Sequence, residues 1–143
     1  MIQHGLFPHA QCAGVPPTML EQVLRGVARR VPELHWAMIA SLDGVVQAMY
    51  DPFHKEHPDR ILAAASAVLA LGERVFHKLQ RGQLTHLTLA GDAGVLVVWP
   101  VGREYILAIS VPSSTETSAA VDALTQAAKA LELSLGQTVV TVA

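Results

Sequence analysis

Residues 61–79 read ILAAASAVLALGERVFHKL, and this stretch carries one apolar row more than a surface helix needs. Ile61, Ala64, Val68, Leu71 and Val75 form one row at helical spacing. Leu62, Ala65, Leu69, Gly72, Phe76 and Leu79 form a second beside it. A helix lying on a small domain normally buries a single apolar stripe. The two other helical segments obey that rule. In PPTMLEQVLRGVARRV the stripe is Leu20, Val23, Leu24, Val27 and Val31, and Pro32 ends the element. After Pro112-Ser113-Ser114 it is Val121, Leu124, Ala128, Leu131 and Leu135. Thr18 with Glu21 and Ser113 with Glu116 have the spacing of a capping box at each start. Pro58 and Asp59 suit the start of the middle helix, and Gly82 its end.

Two occupants suit the second row: another helix of the same chain, or the same helix of a second copy. Ala63, Ala64, Ala65, Ala67 and Ala70 let backbones approach closely. A twofold axis makes such a surface self-complementary, and left bare it is an aggregation liability. The reading favoured is a homodimer. Leu62, Ala65, Leu69, Gly72, Phe76 and Leu79 are expected to face the partner, and Ile61, Val68 and Val75 the subunit's own sheet.

The remaining segments read as strands. LHWAMIASLDGVVQAMY at 34–50 is a hairpin, because Asp43-Gly44 supplies the positive φ of a tight turn. In 84–90, Thr85, Leu87 and Leu89 alternate with His86, Thr88 and Ala90, the pattern of a half-buried edge strand. That edge lacks an internal Pro or Lys, so His86 and Thr88 join the expected dimer contact. VLVVW and YILAISV are apolar throughout and should be covered on both faces, with Pro100 closing its strand. The order α-β-β-α-β-β-β-α predicts an α+β domain: a five-stranded antiparallel sheet with helices on its faces. Residues 17–135 form this domain, 1–16 an irregular arm and 136–143 a short β-prone tail.

The net charge of −2 gives no electrostatic case for nucleic acid. One cysteine, Cys12, excludes an internal disulfide. No apolar run nears the roughly 20 residues of a membrane span, and the first residues lack the basic and apolar parts of a signal peptide. A cytoplasmic protein without membrane insertion is expected.

The chemistry-bearing residues do not converge. His54 and His57 are spaced H-x-x-H in a Pro-rich loop, and His4, His9 and Cys12 lie within nine residues. Neither set has four-fold ligation with support behind it. The serines lack a Gly-x-Ser-x-Gly elbow. Gly91-Asp92-Ala93-Gly94 lacks the Lys and following helix of a phosphate loop. The expectation is no enzyme, no cofactor and no bound metal.

From Leu34 to about Leu135 the chain resembles a roadblock (dynein light-chain type) domain, of roadblock/profilin-like fold. The resemblance rests on ASLDGVVQAM at 40–49, ILAAASAVLALGERVFHKL at 61–79, LTLAGDAGVLVVW at 87–99 and YILAISV at 105–111. It implies a homodimer built through the middle helix and the strand after it, and a partner that is a small Ras-like GTPase. Bacterial members of this kind bind such GTPases in polarity and gliding systems, promoting GTP hydrolysis or controlling the nucleotide state. The family brings no catalytic residue to carry over. Arg60, Glu73, Arg74, His77 and Lys78 are the polar candidates for the partner surface. Two rivals remain: a PAS- or GAF-like small-molecule sensor, which needs an enclosed cavity, and a metal enzyme using His54 and His57.

Overall fold

The computed structural model describes residues 16–53 and 57–142, with side chains described as far as Leu135. The elements are α1 (Pro17–Arg30), β1 (Trp36–Ser41), β2 (Val46–Tyr50), α2 (Pro58–Leu79), β3 (Leu87–Ala90), β4 (Gly94–Val101), β5 (Tyr105–Pro112) and α3 (Thr117–Val142). They follow the expected order. The strands form one antiparallel sheet, β2-β1-β5-β4-β3.

Strand side chains alternate between faces, and the apolar strands fill both. Ala37, Ile39, Val97, Leu107 and Ile109 point to the face that carries α1 and α3, where Leu20, Val27, Leu124 and Leu131 close the main core. Trp36, Met38, Ala40, Val98, Ile106 and Ala108 point the other way, onto α2. The central strand β5 is therefore buried almost throughout. The β1–β2 hairpin turns at Gly44, with φ of +101°. Ser41 N–H donates to the Val45 carbonyl at 2.8 Å, and the Ser41 hydroxyl donates to the Asp43 carboxylate.

Pro100 does not close its strand, and the reason is register. Gly91 N–H donates to the Gly94 carbonyl at 2.8 Å. With the pairing of Leu89 to Leu96 and Leu87 to Val98, this turns the backbone groups of Gly94, Leu96 and Val98 toward β3. Pro100 is the next in that series, so its missing N–H falls on the edge side. The β4–β5 ladder loses nothing and continues to Val101. The same proline shortens β3. Thr85 would lie opposite Pro100, which has no donor to offer, and the strand begins at Leu87 instead of Leu84.

Neither capping box forms. α1 starts on Pro17 behind Pro16, without a side-chain cap, because the fixed φ of proline is already helical. Ser113 lies in a turn closed by Thr115 N–H on the Pro112 carbonyl at 3.0 Å, and α3 starts only at Thr117. The Thr115 hydroxyl donates to the Glu33 carboxylate at 2.8 Å, which holds that carboxyl below its ordinary range. α2 ends through Gln80 in the left-handed region, φ +53°, two residues before Gly82. The backbone of the expected β-prone tail continues α3 to Val142. A β-branched run with no strand beside it satisfies its amides by prolonging the helix.

Candidate interaction surface on the lone helix

α1 and α3 share one face of the sheet; α2 lies alone on the other. No helix of the chain therefore covers the second apolar row of α2 among the described residues. The extra row is real, but the phase expected from sequence is inverted. Leu62, Ala65 and Leu69 are 6, 1 and 4% exposed and pack on the sheet. Leu71, Val75 and Leu79 are 61, 43 and 60% exposed. Ile61 and Val68 are half-buried, and Ala64 is exposed. Leu62, Ala65 and Leu69 thus face their own subunit, and the row led by Val68, Leu71 and Val75 faces out.

Gly72 shows why. A Cβ there would come within 3.0 Å of Leu84 Cδ2 and 3.7 Å of Leu87 Cδ1. The glycine lets the segment entering β3 pack against α2, so its row must be the inward one. Phe76, on the same row, is half-buried. Leu79 belongs to the same sequence row, yet at the last turn it stands clear of the sheet.

The edge strand continues this surface. Leu89 pairs with Leu96, so its side chain lies on the α2 side of the sheet, 44% exposed. The alternation that turns Leu87 and Leu89 toward β4 leaves the backbone groups of Thr88 and Ala90 at the free edge. Thr88 thus offers main chain at the edge. His86 does something else: its ring stacks on Trp99, centroids 4.7 Å apart and planes 5° from parallel, with the Thr85 hydroxyl 3.2 Å from Nδ1.

The five polar candidates separate into two sites. Arg60, Arg74 and Lys78 stand exposed along the outer crest of α2. Glu73 and His77 lie on its flank and line a groove of about 740 Å³ with Thr85, Trp99, Arg103 and Glu132. This open groove at the sheet's end, where β3 no longer covers β4, is not the enclosed cavity of a sensor domain. The stack of His86 on Trp99 and the exposed Arg81 were not foreseen; both depend on where the chain returns after α2.

Among the described residues no cluster of three or more His, Cys, Asp or Glu could hold a metal. His4, His9, Cys12 and His54 lie outside the described residues. Among the described residues no helix is long and apolar enough to cross a membrane.

Comparison with known proteins identifies the architecture. The chain aligns with Myxococcus xanthus MglB at a TM-score of 0.77 and 10% identity, covering 85% of this chain and 91% of that one. An MglB with a tetrameric arrangement aligns at 0.72 and 16% identity, covering 83 and 89%. A Roadblock/LC7 domain from Streptomyces avermitilis aligns at 0.69 and 22% identity, covering 80 and 95%. At these identities the likeness is one of fold. A search of curated protein sequences found no match. The Roadblock/LC7 domain family itself matches residues 19–110, from early in α1 to within β5. The chain belongs to the Roadblock/LC7 domain family.

Proposed function

We propose that this protein is a homodimeric adaptor that binds a small Ras-like GTPase and regulates its nucleotide state, without chemistry of its own. One observation carries the reading. The lone helix α2 turns an apolar row to solvent, beside an edge strand with free backbone groups at Thr88 and Ala90. A second copy related by a twofold axis would cover both at once: α2 on α2, and β3 on β3 to prolong the sheet. Membership of the roadblock family and the likeness to MglB support this arrangement. The tetrameric arrangement of one MglB relative supports self-association in this fold.

The family resemblance and the proposed dimer support a small GTPase as the partner. Regulation then needs only a difference in affinity between nucleotide states: the adaptor shifts the GTPase toward the state it binds better, by no more than that preference. The catalytic groups for hydrolysis would remain those of the GTPase. The test is to purify a Ras-like GTPase encoded by the same genome, load it with GDP or a GTP analogue, and measure binding and hydrolysis with this protein. State-dependent binding is expected. Failure of every such GTPase to bind would remove the functional reading.

A further inference from the structure

The late start of β3 leaves the end of β4 with an acceptor and no donor beside it. Leu42 N–H donates to the Glu104 carbonyl at 3.1 Å, so Ile106, two residues on, also turns its backbone groups to β1. Pro100 pairs with Ile106, so its carbonyl is not spent on β5 and faces the edge. Thr85, the residue that would stand opposite, makes no backbone hydrogen bond to it among the described residues. The groove of about 740 Å³ lies at this edge, and ligand sites span about 300–1,000 Å³. Glu73 and His77 reach it from α2, Arg103 from the β4–β5 turn and Glu132 from α3. All four are exposed, and none of their side chains has an ion-pair or hydrogen-bond partner among the described residues. Trp99 is the apolar wall, its ring stacked on His86. At about 100° per residue, Glu73 and His77 sit about 160° round α2 from Leu71 and Val75. The row given to the second copy is therefore on another side of the helix.

We propose that this groove takes an extended peptide segment that presents an arginine. A guanidinium carries five donors and no acceptor. The groove meets it with acceptors: the carboxylates of Glu73 and Glu132, and an indole wall against which its plane can pack. The main chain of the segment fits the same edge. Laid along β4 in the place that β3 leaves, it donates an N–H to the Pro100 carbonyl. Its own carbonyls then find donors in the Arg103 guanidinium and the Gln83 side-chain amide, which supply what Pro100 lacks. A phosphorylated ligand is a poorer match, because two carboxylates face it across one groove. The proposal does not rest on the adaptor reading; it gives each subunit a further docking site.

The test is a nuclear magnetic resonance titration of the full chain, read at the indole N–H signals of its two tryptophans. Trp99 lines the groove and Trp36 is buried beneath α2, so Trp36 serves as the internal reference. The probes are the end-blocked peptide Gly-Gly-Arg-Gly-Gly, its Lys and Glu counterparts, and free arginine. The arginine peptide is expected to shift the Trp99 signal saturably and leave Trp36 in place. The lysine peptide, without a planar fork, should bind severalfold more weakly, and the glutamate peptide should not saturate. Free arginine should bind more weakly than the peptide, because it brings no strand to the β4 edge. Glu132→Gln and Glu73→Gln, each with unchanged circular dichroism, should weaken the arginine peptide about fivefold or more. No saturable shift at Trp99 would overturn the proposal, as would equal response to the glutamate peptide. Affinity unchanged in both glutamine variants would overturn the assignment of the guanidinium to this groove. Free arginine binding as tightly as the peptide would overturn the strand contact. Each of these results leaves the adaptor reading intact, since no GTPase takes part.

Discussion

The two faces of the sheet teach different lessons about the same apolar composition. One carries two helices, and its side chains are closed in from Leu20 to Leu131. The other carries α2 alone, and only Leu62, Ala65 and Leu69 of that helix are fully covered. α1 has a single apolar stripe because its outer side meets water. α2 has two because, in the proposed dimer, both sides of it meet protein. A closed face specifies a fold; a half-covered face of equal hydrophobicity specifies a partner.

The contrast can be broken most sharply within α2 itself. Leu69→Asp should unfold the subunit, because an unpaired carboxylate on the sheet costs several kcal/mol. Chemical denaturation and circular dichroism would show it. Val68→Asp, one residue away, should leave the monomer fold intact. If the two variants behave alike, the inward and outward rows have been misplaced.

Next in size is the truncation of a closed-core side chain. Leu107→Ala should cost about 2–5 kcal/mol, while Leu71→Ala, on the open face, should change monomer stability by no more than about 0.5 kcal/mol. Urea unfolding measured on an already monomeric variant separates the two effects.

Gly94→Ala should cost about 1–3 kcal/mol. A Cβ there would sit 3.0 Å from the Val111 carbonyl oxygen, a backbone atom of the ladder that cannot swing aside. Thermal melts would measure it, and a neutral result would mean that the β4–β5 approach is looser than described.

The smallest effect concerns Tyr105. Its hydroxyl is buried in the closed core without a hydrogen-bond partner among the described residues. Burial, with a contribution from Glu104, pushes the phenol up to about 12. The folded chain thus keeps a proton that the unfolded chain releases near pH 10. This stability is fully present below about pH 10 and is lost as pH rises toward 12. Tyr105→Phe should flatten that alkaline loss and leave stability at pH 7 within about 1 kcal/mol, because a buried orphan hydroxyl is removed. Urea denaturation at pH 7 and pH 11 checks both.

Most of the fold could be read from the chain because its signals are local. Asp43-Gly44 marks the hairpin, Pro58 opens α2, and the unbroken apolar run YILAISV marks the central strand. The errors lie where the deciding contact is distant. The rows of α2 are neighbours on the helix, and which one faces the sheet is decided by Leu84 and Leu87 against Gly72. The fate of Pro100 is decided by which strand its amide faces, a matter of register between β3, β4 and β5. Thr18 and Ser113 carry capping-box spacing, yet Pro17 and the turn at Pro112–Thr115 settle those helix starts first. The five polar candidates were legible as residues on one helix. Their separation into a cationic crest and a groove flank was not, because the groove is built by Trp99, Arg103 and Glu132 from other elements.

The most direct test of the account is the solution mass of the wild type and of Val68→Asp by light scattering at micromolar concentration. The wild type should weigh about twice the 15.3 kDa chain or a multiple of that pair. Val68→Asp should be a folded monomer of about 15 kDa, as judged by unchanged circular dichroism. A monomeric wild type, or a Val68→Asp variant that keeps the wild-type mass, would contradict the claim that the outer row of α2 is where two copies meet.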